Sequence, residues 1–359
     1  MNNSPRILTI NPGSTSTKIA VYCYGNVLFL KTIRHSVDEL SQFKKIADQY
    51  EYRRDIIYKE LKDADIRPDL IRIVMGRGGL VKPIPAGVYR VNEAMKQELL
   101  EGRNGEHASN LGALIADDLA KKLPNAKAYI ADPVVVDELE PIARFSGHPL
   151  FSRKSIFHAL NQRAIARTHA KSINKKYEDL NLIVAHLGGG ISVGVHRKGR
   201  VVDVNQALDG DGPISPERSG TLPSGMLLKM AFSGDYTYDE IKSMITGKGG
   251  LYAFTGHNDA YEVEKAALAG DQKSLEVMEA MAYQTAKEIG AFATVLKGDV
   301  DAILITGGMA NSKWFTNLII ERVYKIGPVH IYPGEDEMRA LAENAQMVLS
   351  GEIKAKEYE

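Results

Sequence analysis

The chain has 359 residues, in which 45 Lys plus Arg balance 45 Asp plus Glu, and one cysteine, Cys23. That length exceeds one ordinary core and suggests about two domains, while zero net charge argues against a dedicated nucleic-acid binder or a reader of anionic membranes. No apolar run approaches bilayer-spanning length, and a lone thiol excludes an intrachain disulfide and fits a reducing, cytoplasmic setting.

The chain opens on a three-strand meander, "ILTINPGSTSTKIAVYCYGNVLFLKTI", Ile7 to Ile33, with a polar Asn-Pro-Gly turn between its first two strands. Apolar spacing then predicts helices near Asp38 to Asp48 and Tyr52 to Lys62 and a strand over Leu70 to Met75. Glu93 to Leu100 and Ala108 to Lys122 read as helices, and "AKAYIAD" as a strand running into Asp132. Glu138 to Ser155, rich in Pro, Gly and charge, is the expected domain crossing, dividing the chain into residues 1–150 and 151–337, with a last helix from about 338 completing the first domain. A helix from Ile156 to about Ile173 precedes a second meander, "LIVAHLGGGISVGVHRKGRVVDV", Leu182 to Val204. The long helix Gln272 to Leu296 reads as core or as an interface between copies. The strand "AILITGG", a helix beginning near Ser312 and a final amphipathic helix over Asp336 to Leu349 close the chain.

Two meanders, each followed by alternating helices and strands, suggest two related α/β lobes. Aligning Asn11-Pro-Gly with His186-Leu-Gly also pairs Ile10 with Ala185 and Ala20 with Val195. Backbone N–H groups of Gly-rich turns form anion-binding concavities, to which hydroxyls or a lysine add donors. If the lobes face each other, their turns meet at an interdomain cleft suited to a polyphosphate. "GSTSTK" lacks P-loop spacing, and no G-x-G-x-x-G opens a helix after a strand. Gly307 and Gly308, ending a strand before a helix, offer a third anion-facing turn.

The ordered set "INPGSTSTK", "IFHALNQ", "AHLGGGISV", "SPERSGTLPSG", "NDAYEVE" and "ITGGMAN" resembles the acetate and butyrate kinases of the actin, hexokinase and sugar-kinase superfamily, over essentially the whole chain. "GRGGLVKPIP" and "SIFHALNQ" look like the butyrate and branched-chain acid kinases. The resemblance implies two duplicated ribonuclease-H-like lobes, ATP/ADP with Mg²⁺, homo-oligomeric assembly and reversible phosphorylation of a short carboxylic acid to an acyl phosphate.

The same resemblance distributes roles over the chain. Asn11 and Glu337 fall at the metal, although Glu337 equally suits a charge complementing a helix N-terminus. Ser14, Ser16 and Lys18 face the phosphates. Arg218, His158, His186 and Asp132 match the catalytic positions: Arg218 stabilises the transferring group, the two histidines hydrogen-bond it, and Asp132 orients a guanidinium or a metal-bound water. The nucleotide falls to His186, Gly188, Gly189, Gly190, Asp259, Gly307, Gly308, Met309, Ala310 and Asn311. Arg77, Gly76 and Phe157 are the substrate-side residues, with Arg77 clamping the carboxylate. Gly76 stands where acetate kinases carry a valine lining the methyl pocket, so it is expected either to enlarge that pocket or to serve a turn before "RGG".

Several positions depart from the acetate kinase pattern. Val74 and Arg77 replace an arginine and a histidine, Gln162 replaces a second histidine four residues after His158, and Tyr261 replaces an arginine. An acetate or propionate kinase, an actin- or chaperone-like ATPase module, and a sugar kinase with Asp132 as base remain alternatives at this level.

Overall fold

The computed structural model describes residues 3–359. Three antiparallel strands open the chain: β1 (Arg6–Pro12), β2 (Ser16–Cys23) and β3 (Asn26–Arg34). Helices α1 (Val37–Ser41) and α2 (Tyr50–Asp63) lead to β4 (Ile71–Arg77), the short β5 (Val88–Arg90), α3 (Glu93–Glu101), α4 (Asn110–Lys122) and β6 (Lys127–Ala131). After α5 (Ala159–Ser172) comes a second meander, β7 (Asn181–Leu187), β8 (Ile191–Arg197) and β9 (Arg200–Val204). Short helices follow, α6 (Ser224–Ala231), α7 (Tyr238–Ile245), α8 (Gly250–Thr255) and α9 (Ala260–Leu268), and then the long α10 (Gln272–Val295). The chain ends with β10 (Ala302–Gly307), α11 (Lys313–Val323), β11 (Val329–Pro333) and α12 (Glu337–Ser350).

Two compact units result, one running to Val136 and taking in Asp336–Glu359, the other Asp137–Glu335. In the first, the strand order is β3-β2-β1-β4-β6-β5; in the second it is β11-β10-β7-β8-β9. Read from the meander, both run third, second, first strand and then onto parallel strands, as β1 pairs β4 and β4 pairs β6 in parallel, and β7 pairs β10 and β10 pairs β11. Each is a ribonuclease-H-like sheet. The second hairpin of each meander turns on two residues with positive φ, Tyr24-Gly25 (48° and 78°) and Lys198-Gly199 (50° and 85°), the combination that matches strand twist in a two-residue loop. The first hairpins differ by one residue: four residues separate the paired Pro12 and Thr17, three separate Leu187 and Ile191. With Asn11 matched to His186, Ala20 therefore corresponds to Gly194 and not to Val195, since Thr9 faces Ala20 and Val184 faces Gly194.

The segment 137–155 packs within the second unit: Glu140 N–H donates to Val202 O (2.9 Å) and Arg153 pairs with Asp203 (2.8 Å). Helix α12 packs its buried face, Met338, Leu341, Ala342 and Ala345, onto β1 and β4. Helix α10 turns Val277, Met278, Met281, Ala282, Ile289 and Phe292 into the core of the second unit, at the spacing of a helix seated on a sheet.

Some elements differ from their sequence expectation. The helix over 38–48 is the five-residue α1 and a separate 3₁₀ turn, Ile46–Gln49, because α1 buries no side chain that would hold it longer. Helix α5 begins at Ala159 and not Ile156, whose carbonyl instead accepts from Ala207 N–H (2.9 Å). Strands β5 and β11 carry no clear alternation, one having three residues and the other lying half-exposed at a sheet edge. No helix among the described residues is long and apolar enough to cross a membrane.

Candidate active site

In the first unit the parallel strands deliver polar residues at their C-terminal ends, the usual ligand side of an open α/β sheet. Ile10 faces Gly76, and Arg77 faces Ala131, so Asn11, Arg77 and Asp132 leave adjacent strands at one level. Glu337, the first residue of α12, closes the group. Its Oε1 lies 2.8 Å from Arg77 Nη2, and its Oε2 accepts from Asn11 Nδ2 (2.6 Å), whose Oδ1 in turn accepts from Arg77 Nη1 (3.4 Å). The ion pair is partly shielded, with 24% and 18% of the two side chains exposed. Asp132 is 2% exposed, with φ of 36°, a conformation a non-glycine residue adopts only where its surroundings impose it. Here a two-way clasp with Gly87 imposes it: Asp132 N–H donates to Gly87 O (3.0 Å) and Gly87 N–H to Asp132 Oδ1 (2.8 Å).

The Asn-Pro-Gly turn is closed by Gly13 N–H donating to Ser16 O (2.7 Å), with Ser14 exposed, Ser16 half-buried and Lys18 exposed on β2 opposite Asn11. Behind the turn lies Arg53 of α2, 1% exposed. Its Nη1 donates to Gly13 O (2.7 Å), Ser16 O (3.2 Å) and Thr17 Oγ1 (3.2 Å), and its Nη2 to Ser14 O (3.0 Å) and Gln49 Oε1 (2.7 Å). Burial pushes its pKa down. No sequence signal singles out Arg53; it sits in an ordinary helical stretch 36 to 40 residues from the turn atoms it holds.

Gly76 is a correction. A Cβ built there would stand 2.2 Å from Gly112 O and 2.5 Å from Gly112 C. The position points into the backbone of α4, so it neither walls a pocket nor has the positive φ of a turn glycine.

In the second unit the matched positions gather around the β7–β8 turn. The His158 and His186 rings stack with centroids 3.9 Å apart and 11° between planes. His186, 1% exposed at the end of β7, has Nδ1 2.8 Å from Asn161 Oδ1 and Nε2 3.2 Å from the Glu335 carboxylate. His158 has Nδ1 2.8 Å from Ser192 Oγ on β8. Phe157 is buried. The glycine turn runs between this pair and Arg218: a Cβ on Gly188 would lie 3.0 Å from His186 Nε2, and one on Gly190 1.9 Å from Arg218 Nη1. Gly189 O accepts from Ser215 Oγ (2.9 Å) and from Glu217 N–H (3.2 Å), fixing the "PERSG" loop to the turn. Arg218 donates from Nη1 to Ala207 O, while its buried Nε meets no acceptor among the described residues; burial lowers its pKa.

Gly307, with φ of 96°, lets β10 approach the same turn, since a Cβ there would fall 2.3 Å from Leu187 O. Gly308–Asn311 forms a 3₁₀ turn before α11, in which Gly308 is exposed, Met309 half-buried and Ala310 buried, and Asn311 Nδ2 donates to Gly308 O (2.9 Å). Asp259 caps α9, accepting from Tyr261 N–H (3.0 Å). Glu335, Ser192 and Asn161 were not legible as site residues, for they acquire their places only through the folding of β8, α5 and the loop after β11.

For a metal, the described residues hold no group of three or more His, Cys, Asp or Glu placed to ligate one. One carboxylate and one amide, already bonded to each other and to Arg77, do not make a cage for a free ion. They do suit Mg²⁺ brought in on phosphates, which keeps most of its waters and takes few protein ligands.

Comparison with known proteins shows the fold and the family. The fold is that of the short-chain acid kinases: the structure matches acetate kinase of Porphyromonas gingivalis with a TM-score of 0.80 over 96% of this chain and 100% of that one, at 18% identity. It matches a propionate kinase from Francisella tularensis subsp. tularensis SCHU S4 with a TM-score of 0.71 over 95% and 98%, at 17% identity. The Acetokinase family pattern matches residues 146–350, and the sequence is 56% identical to butyrate kinase 2 of Clostridium acetobutylicum over 98% of this chain and 99% of that protein. Butyrate kinase 1 of the same organism is 53% identical over the same shares. The chain belongs to the acetokinase family.

Proposed function

We propose that the protein transfers the γ-phosphoryl group of ATP reversibly to a short-chain carboxylic acid, butyrate or a branched four- to five-carbon acid, giving an acyl phosphate and ADP. The observation that carries this reading is the cluster around the glycine turn: a stacked histidine pair on one side and, on the other, a half-buried Arg218 whose buried Nε meets no acceptor among the described residues. Near-full-length similarity to two butyrate kinases supports the choice of acid.

A carboxylate is already ionised at pH 7, so the reaction requires no general base. The acid's oxygen forms a bond to the γ-phosphorus while the bond to the β,γ-bridging oxygen breaks and its electron pair leaves on ADP. What the protein must supply is alignment of two anions and charge on the transferring group. Arg218 supplies that charge, and His158 and His186 donate to the phosphoryl oxygens. Arg77 meets the acid's carboxylate through guanidinium hydrogens not used by Glu337 and Asn11. The polar turn at Ser14 and Ser16, with Lys18, takes the phosphates, as does the Gly188–Gly190 turn; Gly307–Asn311 and Asp259 accompany the nucleoside. Mg²⁺ would neutralise the β- and γ-oxygens, with Asn11 and Glu337 the residues beside it. Assembly as a homo-oligomer and a cytoplasmic location belong to the same proposal.

The test is to incubate the protein with Mg²⁺, ATP and acids of two to six carbons and trap acyl phosphate with hydroxylamine. Hydroxamate with butyrate or a branched acid above acetate is expected. ATP hydrolysis without hydroxamate from any acid would overturn the reading.

A further inference from the structure

Beneath the histidine pair a chain of buried polar groups, which the proposed chemistry does not use, leads from Tyr177 to His158. Tyr177 OH lies 2.7 Å from His196 Nδ1; His196 Nε2 lies 3.0 Å from Gln162 Oε1; Gln162 Nε2 lies 3.0 Å from Ser192 O and 2.9 Å from Ser192 Oγ; and Ser192 Oγ lies 2.8 Å from His158 Nδ1. Ser192, Gln162 and His196 are each 0% exposed, so bulk solvent does not reach them.

The direction of this chain follows from its one group that cannot donate. The Ser192 carbonyl is an acceptor only, so the Gln162 amide must present its NH₂ to it, and Oε1 must face His196. His196 then carries its proton on Nε2 and accepts from Tyr177 on Nδ1. Burial, with Arg163 and Arg167 nearby, holds the His196 pKa down to about 3, consistent with a neutral ring. At the other end, Ser192 Oγ accepts from Gln162 Nε2 and lies 3.4 Å from the His158 backbone N–H. Both are donors, so the remaining partner, His158 Nδ1, receives the hydroxyl proton.

We propose that Gln162 and Ser192 are positioning residues that fix His158 in the tautomer protonated on Nε2. A Nε2–H ring presents a donor where a phosphoryl oxygen needs one; the other tautomer would present a lone pair to an anion. Gly194 belongs to the device, since a Cβ there would stand 2.4 Å from Gln162 Oε1. The tautomer assignment stands on hydrogen bonds alone; only its kinetic consequence rests on His158 acting at the phosphoryl group.

The test is a long-range ¹H–¹⁵N correlation on histidine-labelled protein, with the His158 signals identified by their loss in His158→Gln. Wild type is expected to show the proton on Nε2. In Gln162→Glu the introduced carboxylate accepts a hydrogen bond from the Ser192 hydroxyl, which then turns a lone pair toward His158, so the His158 ring carries its proton on Nδ1. Butyrate kinase kcat then falls on the order of 10²-fold, the loss typical of one preorganised donor, with KM for ATP unchanged. Ser192→Ala, which removes the hydroxyl at little steric cost, is expected to give a mixture of tautomers. A wild-type ring protonated on Nδ1, or an Nε2–H ring unchanged in both variants, would overturn the proposal. A shifted tautomer with unchanged kcat would leave it standing and remove His158 from the phosphoryl contacts.

Discussion

Gly76 of β4 and Gly112 of α4 touch backbone to backbone. A Cβ on the first would lie 2.2 Å from Gly112 O, and one on the second 2.3 Å from Arg77 O. Two residues without side chains are what let the helix seat directly on the strand end that carries Arg77.

Gly76→Val therefore acts on stability and not on acid choice. Overpacking of this kind typically costs about 1–3 kcal/mol, and a clash with main chain leaves little to yield. Thermal unfolding should drop by several degrees, while the ratio of kcat/KM for butyrate to that for acetate stays at its wild-type value. A ratio moved toward acetate would restore the pocket-wall reading.

Arg218→Ala should lower kcat by about 10²- to 10³-fold, the range for losing one preorganised donor to a developing charge. Because the guanidinium packs on the Gly190 turn and donates to Ala207 O, ATP affinity measured by calorimetry should stay near wild type. A collapse of ATP affinity with turnover preserved at saturation would make it a nucleotide ligand instead.

Arg53→Met keeps the length of the buried side chain and removes its donors from Gly13 O, Ser14 O and Ser16 O. Hydrogen bonds to a charged group contribute roughly 1.5–3 kcal/mol each, and the orphaned carbonyls add their own penalty, so a loss of at least ~2 kcal/mol by denaturant titration is expected. KM for ATP should rise, since the turn these bonds hold is the proposed phosphate contact. Arg53→Lys should not restore either property, because one ammonium cannot reproduce the guanidinium fork.

The pH dependence of stability should show two opposed contributions. His196 has a folded pKa of about 3, below its ordinary 6.5, owing to burial; the unfolded chain binds its proton first, so stability is lost as pH falls below about 6.5. Glu288 is pushed up to about 7 by burial, with Asp211 adding to the rise; the unfolded chain ionises first, so stability is lost as pH rises from its ordinary 4.5 toward 7. Each slope is bounded by ~1.4 kcal/mol per pH unit. Melting curves of Glu288→Gln should exceed wild type at pH 8 and match it more closely at pH 5, whereas His196→Gln should flatten the fall in stability between pH 6.5 and 5.

Local information was enough for several features. Alternating apolar residues and glycine turns marked both meanders, and the structure gives them matching strand order and the same two-residue hairpin at Tyr24-Gly25 and Lys198-Gly199. The ordered motifs likewise identified the family, and placed His158, His186 and Arg218 on segments that fold around one glycine turn. Other features depend on which segments meet and became visible only in the folded chain. Arg53 reaches a turn some 40 residues away, and Gly76 finds its reason in Gly112 on a helix that no spacing ties to it. Gln162, in sequence merely a missing histidine, orders a hydrogen-bond chain from His196 to His158 because β8 carries Ser192 and His196 past α5. A periodic pattern states which face of an element is buried; what that face touches, and hence which way a proton or a charge must point, is fixed only when the elements pack.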